Sequence, residues 1–545
     1  MNPLIGKRHW VNTLTRKVSS LGAKVGKTDA LAAVLLLASF SQTLYFYSEA
    51  HALRVAGLGL LSCMVVVGFW AWHHRSSNRP EWVSTRLFPI ALLMGALSFA
   101  LFFPPGSIPD EPYHFKNAYR YANIIGLQDI HTMRSADYDF MHDGLELSAG
   151  VTAEHWDAVS GGFSLLASDR TTFIDTEFAR SSISVSADDE VVYMGLSPVQ
   201  LEIPAALGIL IAKVFGLGAV PLFYLGRLGN LLFGVFLIIA AVRITPVGKN
   251  VFIVLALLPM TLHLLGSYSY DVGIIGMSFL LTALLLQAIF GTGKISKASC
   301  AGIIVVAALL APCKVVYVVL GIAILFVPSQ RFSSHRSAIL FKAGVLIVPL
   351  IFIGAVRLSA LVEYATGSSP EAVRADGTSG SYYTLSGLLL HPLSSFKLLD
   401  STLEVHGWGY LVQIVGGMLG WFQGDIALPT QLSVALLMLL VLSVVRSLDS
   451  DEVLPLRMRI VFGLVFAAGA LAIFLSLTIG WTYDTSGVIE GVQGRYFIPL
   501  LPLGLLALRP RCVKITANTG FPLILTLASF NFLYLSYIST CVLLA

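Results

Sequence analysis

Apolar runs closed by short polar stretches recur along almost the whole chain. They fall at about 30–48, 52–73, 87–103, 222–243, 250–266, 272–290, 298–311, 315–327, 338–358, 430–446, 460–480, 495–508 and 519–541. A transmembrane helix needs about 20 predominantly apolar residues, and most of these runs approach that length. The runs at 298–311 and 315–327 are too short to cross upright, so the pattern predicts a tilted or partly re-entrant pair. Alternating segments of about ten residues, the mark of a membrane β-barrel, are not evident. The pattern therefore predicts an all-α polytopic integral membrane protein with about 11–14 transmembrane helices.

Lysine and arginine in short loops orient the chain, because such loops are retained on the cytoplasmic side. Residues 1–28 carry Lys7, Arg8, Arg16, Lys17, Lys24 and Lys27 and no acid, which reads as a cytoplasmic leader before a retained first helix. Arg75, Arg79 and Arg86, then Lys294 and Lys297, Arg331 and Arg336, Arg446, Arg457 and Arg459, and finally Arg509, Arg511 and Lys514 follow suit if 104–197 lies outside. The apolar stretch 198–216 must then stay on the outer side as a half-buried element. If it crossed, Arg243, Lys249 and every later basic loop would invert. The expected organisation is a basic N-terminus with an extra transmembrane hairpin over 1–86 and a membrane domain over 87–545, with outer regions at 104–221 and 359–429. Its large outer loop follows the third span.

Composition agrees and narrows little. Of 545 residues 56% are hydrophobic and 12% charged, with mean hydropathy +0.79, against roughly 25% charged in a soluble domain. The net charge of +4 matters less than its distribution: the loop 104–197 holds 15 of the chain's 31 acids. Cys63, Cys300, Cys313, Cys512 and Cys541 are scattered without metal-ligand spacing and read as apolar filler. "GTGKIS" at 291–296 lacks the spacing of a phosphate loop and follows a membrane helix instead of a strand.

The polar residues nearest a membrane exit are in "PPGSIPDEPYHFKNAYRYANI", 104–124. Asp110 is positioned to cap a helix opening with Glu111 and Pro112. His114 then shares a face with Asp110 at i,i+4. Paired carboxylates at such a place suit a general base or a hard cation, so Asp110 and Glu111 are candidate catalytic residues and candidate ligands for Mg²⁺ or Mn²⁺; solvated charges on an interfacial helix are the plainer alternative. Cations able to hold an anion are few. Arg227 lies within an apolar run, where ionisable residues mark function, unless it pairs structurally with Asn230 or an outer-loop acid. Lys314 sits in the turn of the short pair and departs from the positive-inside trend, or simply snorkels. Arg495, flanked by Gln493 and Tyr496, starts a run on the outer side or anchors it at the interface. Asp271 either neutralises one of these cations or caps a helix. His406, Trp408, Trp421 and Asp425 are candidate sugar contacts or ordinary interfacial residues.

Seven stretches in order, "PPGSIPDEPYHF", "SPVQLEIPAALG", "YLGRLGNLLFG", "LALLPMTLH", "SYSYD", "LGWFQGDIALP" and "EGVQGRYFIPLLPL", resemble the bacterial membrane-protein family catalogued as domain of unknown function 2142, over about 90–505. That family in turn resembles GT-C-fold glycosyltransferases such as the mannosyl- and aminoarabinosyl-transferases, which use polyprenyl-phosphate sugars. The resemblance implies a GT-C-like fold in the bacterial inner membrane, with the N-terminus cytoplasmic and the active site on the periplasmic face. It implies sugar transfer from a polyprenyl-phosphate donor to an envelope glycan or lipid. Asp110 and Glu111 match the catalytic acids of the first outer loop, and "SPVQLEIP", with Gln200, occupies the place of the proline-rich segment after it. Arg227, Lys314 and Arg495 are then the expected phosphate binders, supported by His114, Gln200, Asp271, Gln493 and Tyr496. A polymerase or ligase using lipid-pyrophosphate donors and a transporter or flippase are the alternatives. No internal repeat of the kind found in many transporters is evident.

Overall fold

The computed structural model describes residues 86–544 apart from 104, 107, 109, 131–132, 135–136, 138–199, 367–371, 374–378, 421–427, 448–453, 511–513 and 516–519. The N-terminal hairpin expected over 1–86, most of the acidic loop, and Trp421 and Asp425 lie outside the described residues. What is described is helical, with four strands of only two residues each.

The first helix, α1 (Phe88–Phe102), leads into α2 (Glu111–Ile125). After a short 3₁₀ turn (Gln200–Glu202) comes α3 (Ile203–Val214), then α4 (Ala219–Ile244). The single run expected at 250–266 is two helices, α5 (Lys249–Leu257) and α6 (Pro259–Leu265). Pro259 is the reason: it has no N–H and disfavours the helical conformation at the residue before it, and Leu258 is extended. Next is α7 (Asp271–Phe290), followed by α8 (Lys297–Leu310) and a 3₁₀ helix over Val315–Phe326. At about 2.0 Å per residue its twelve residues reach roughly 24 Å, a third further than an α-helix of that length. This is how one short run expected to tilt gains reach.

The second outer region, expected as loop, is largely helical. Helix α9 (His335–Thr366) overruns its predicted end, and α10 (Leu385–Leu390) and α11 (Pro392–Val415) follow. The mixed polarity of α11 hid it: Leu393, Phe396, Val405 and Trp408 are exposed, while Leu398, Tyr410 and Ile414 are buried, a helical face that no long apolar run announces. The chain ends through α12 (Thr430–Ser443), α13 (Leu456–Gly480), a 3₁₀ segment (Gly494–Leu500), α14 (Leu501–Ala507) and α15 (Gly520–Leu544).

Among the described residues, five helices are long and apolar enough to cross a membrane, those of α4, α7, α9, α13 and α15. They differ in what surrounds them. Of the apolar window of α7, 83% is buried inside the protein, against 22% for α9; α7 is therefore the central helix and α9 a peripheral one. A twenty-residue helix is about 30 Å long, the thickness of the hydrocarbon core. Its two ends differ in charge. Asp271 opens it, while Arg331 donates to the carbonyls of Gln287, Ala288 and Gly293 at the other end.

A second, smaller core joins α2, α3 and the start of α4 around Phe115, Tyr119, Ile209, Phe223 and Tyr268. Glycines set how closely these helices meet. A Cβ on Gly208 would stand 2.0 Å from the Leu225 carbonyl oxygen, one on Gly229 2.2 Å from that of Pro204, and one on Gly226 1.9 Å from the Tyr268 hydroxyl. The two glycines of "LGRLG" thus let the backbone of α3 and the side chain of Tyr268 lie directly against the backbone of α4. Gly302, on α8, faces open space. Gly208→Ala should lower the unfolding temperature of detergent-solubilised protein by the equivalent of about 1–3 kcal/mol, whereas Gly302→Ala should leave it unchanged or raise it.

Candidate functional site

Asp110 and Glu111 are adjacent in sequence and opposite in fate. Asp110 has φ +65°, in the left-handed region, a conformation that aspartate tolerates better than most residues. Its side chain makes no cap hydrogen bond to α2, contrary to the expected N-cap. It turns outward, 53% exposed, and one oxygen takes a hydrogen bond from Arg495 Nη2 at 2.9 Å.

Glu111 turns inward and is fully buried. Arg227 Nε donates to its Oε1 at 2.9 Å and Nη2 to its Oε2 at 2.7 Å, a two-pronged pair. Backbone N–H groups of Gly106 and Tyr268 donate to the same carboxylate. Arg227 Nη1 donates to the carbonyls of Ala100 and Phe103, which the end of α1 leaves without helical partners. The guanidinium also lies 4.7 Å over the Phe223 ring. Two expectations are thereby corrected. Arg227 is closed in by Glu111 and the end of α1, so it is not placed to hold a ligand's phosphate. Glu111, with both oxygens engaged, is not placed to act with Asp110 on a substrate or a cation. No group of three histidine, cysteine or acidic side chains suited to a metal occurs among the described residues.

The other expected residues meet at the head of α7. Asp271 is the first residue of that helix and does not cap it. One of its oxygens lies 3.1 Å from Arg495 Nε, a Coulombic contact outside hydrogen-bond geometry, and the other 3.7 Å from Lys314 Nζ. Lys314 stands just before the long 3₁₀ helix, with Nζ 3.5 Å over the Tyr496 ring. Tyr496 is held in turn, its carbonyl accepting from the buried Tyr317 hydroxyl at 2.8 Å. Burial pushes the Lys314 ammonium below the ordinary lysine range; Asp271 opposes this and Arg495 adds to it. Two cations and two carboxylates, Asp110–Arg495–Asp271–Lys314, thus form one chain of charges, buried at its middle and exposed at Asp110.

Gln493 precedes the 3₁₀ segment carrying Arg495, half-buried and offering its backbone carbonyl to Tyr496 N–H. A neighbour that sequence reasoning missed, Gln413 of α11, accepts the Gly494 N–H at 2.6 Å and fixes that segment. Gln200 opens the turn before α3. His406 and Trp408 are exposed on α11, and neither makes a described contact with the charged chain.

His114 does not pair with Asp110, its expected i,i+4 partner. It is buried, with Nδ1 2.9 Å from Oε1 of Glu202. Asn117 adds a longer contact of 3.5 Å to that oxygen. Glu202, inside "SPVQLEIP", is a site residue that sequence reasoning missed. A lone acid entering an apolar helix was the signal, because such a residue is buried only with a partner. Burial raises the Glu202 carboxyl above its ordinary range, and the contacts to His114 and Asn117 oppose that.

A helical bundle with five membrane-length apolar helices among the described residues, and a cluster of charged side chains at one end of its central helix, defines a polytopic membrane protein. The family model described as "Predicted membrane protein (DUF2142)" matches residues 88–504, and the chain belongs to that family. No curated protein and no solved structure matches it.

The two neighbouring carboxylates should separate on mutation. Glu111→Gln leaves a buried guanidinium unpaired and should destabilise the protein by about 3–5 kcal/mol. Asp110→Asn breaks a half-exposed pair and should stay within about 1 kcal/mol of wild type. Denaturant or thermal unfolding in one detergent measures both.

Proposed function

We propose that the protein is a membrane glycosyltransferase that moves a sugar from a polyprenyl-phosphate donor to a cell-envelope glycan or lipid at the outer face of the bacterial inner membrane. One observation carries the reading: Arg495 and Lys314, two mostly buried cations, converge on the single carboxylate of Asp271 while Asp110 stands half-exposed beside them.

Such a transfer needs cationic groups for the leaving phosphate, since its charge grows as the bond to the sugar breaks. Arg495 presents a planar fork suited to phosphate oxygens and Lys314 a point charge. Asp271 neutralises one of the two. Asp110 neutralises the other, through one contact and from an exposed position. A donor phosphate is the stronger partner for a guanidinium, so it displaces Asp110 from Arg495. The freed carboxylate then faces the sugar, where it offsets the positive charge developing at the anomeric carbon. The lipid chain lies along the apolar exterior of the helices, where Leu232 and Phe236 of α4 are exposed.

Charge supports this choice of side. Lys294, Lys297, Arg331 and Arg336 gather beyond the far end of α7 from Asp271. Short basic loops are retained in the cytoplasm, which favours the outer face for the pocket.

In a strain lacking the protein, an envelope glycan should lose one sugar. Wild type should restore it, and Asp110→Asn and Arg495→Lys should reduce restoration at least about 100-fold at equal protein level. Polyprenyl monophosphate should compete with the donor better than the diphosphate. Full restoration by both variants would sink the site assignment, and preference for the diphosphate would favour a ligase.

A further inference from the structure

The charged chain holds the phosphate but leaves unassigned the proton that the acceptor hydroxyl must lose. The Glu202–His114 pair lies next to that chain. His114 packs edge-on against the Tyr270 ring at 4.7 Å between centroids, and Lys314 Nζ is 6.0 Å from the centre of the same ring. Imidazole and ammonium are thus seated on one phenol. Asp271 interacts electrostatically with His114 as well as with Lys314 and Arg495.

The pair has the form of an oriented base. A carboxylate accepts hydrogen bonds and cannot donate them, so with Glu202 ionised the hydrogen of His114 sits on Nδ1 and Nε2 keeps its lone pair. Nε2 has no hydrogen-bond partner among the described residues, and the side chain keeps 4% of its surface exposed. His263 is the contrast: both of its ring nitrogens are sealed and unpartnered. The charged and titratable groups facing His114 are Glu202 from the turn before α3, Tyr270 and Asp271 from the head of α7, and Tyr113 on its own helix.

We propose that His114 is the catalytic base of this site and Glu202 its positioning residue. The inference rests on the transfer reading above. In the step, the acceptor oxygen forms its bond to the anomeric carbon as the bond from that carbon to the phosphate oxygen breaks. The hydroxyl proton passes to His114 Nε2, and the electron pair of the broken bond leaves with polyprenyl phosphate on Arg495 and Lys314. The imidazolium, stabilised by Glu202, returns its proton to water before the next turnover.

The test uses full-length protein in detergent, the polyprenyl-phosphate sugar that wild type transfers, and polyprenyl monophosphate as the binding probe. His114→Asn should cut transfer at least about 100-fold while holding the probe within about twofold of wild type. Glu202→Gln still accepts from Nδ1 but carries no charge, so imidazolium forms less readily. The acid limb of its kcat profile should move about one pH unit lower, which a merely structural pair would not do. It also serves as the test if His114→Asn does not fold. The proposal is overturned if His114→Asn keeps more than a tenth of the rate with an unmoved acid limb, or if Glu202→Gln leaves that limb in place. Wild type that transfers sugar from no polyprenyl-phosphate donor overturns the transfer reading and this inference together; active wild type matched by His114→Asn overturns this inference alone.

Discussion

A carboxylate and a guanidinium with no access to water hold the charged end of the bundle together. The Glu111–Arg227 pair gathers the carbonyls ending α1, the loop at Gly106, the first turn of α2, the middle of α4 and the backbone at Tyr268 into one polar knot. Desolvating two charges is expensive, and their attraction offsets this only when the remaining hydrogen-bonding positions are filled. Here backbone groups fill them. Such a pair is weak evidence of extra stability but strong evidence of a fixed geometry, because a small displacement would strand a buried charge. Asn230, one helical turn on, extends the hold by donating to the carbonyls of Ser267 and Ser269, so the segment that ends in Asp271 is anchored to α4 as well.

The pocket is built on that knot by a single backbone choice. Left-handed φ at Asp110 sends consecutive carboxylates apart, one into the protein and one toward Arg495. The strain, of order 1–3 kcal/mol for such a conformation, is borne at the one residue that the proposed chemistry needs exposed.

Much of the fold was legible because apolar length is a strong signal. The run expected at 272–290 is α7, and that at 87–103 is α1. Asp110, Asp271, Lys314, Arg495 and Tyr496 could each be picked out as polar residues at the ends of apolar runs, but which of them pair was not written in that pattern. Three other things were not legible. Which acid Arg227 would choose depends on the φ of Asp110, and no residue pattern states that angle. The break at Leu258 was written in Pro259 but outweighed by hydropathy on both sides. Glu202 and His114 are 88 residues apart, with most of the acidic loop between them, and nothing local links them. The helix α11 was missed because its apolar residues are spread around a face instead of along a run.

The long 3₁₀ helix over Val315–Phe326 buries its residues with a period of three. Tyr317, Leu320 and Ala323 form one buried row and Gly321 and Ile324 a second, while Ile322 and Leu325 face outward. With three residues per turn, such a segment changes length in whole steps without turning. Losing or gaining three residues would move its far end by about 6 Å and leave every remaining side chain on its own face. A one-residue change would rotate the rows by about 120° and carry Tyr317 away from the Tyr496 carbonyl. The segment's length can therefore change only in triplets if Lys314 is to stay beside Asp271 and Tyr496.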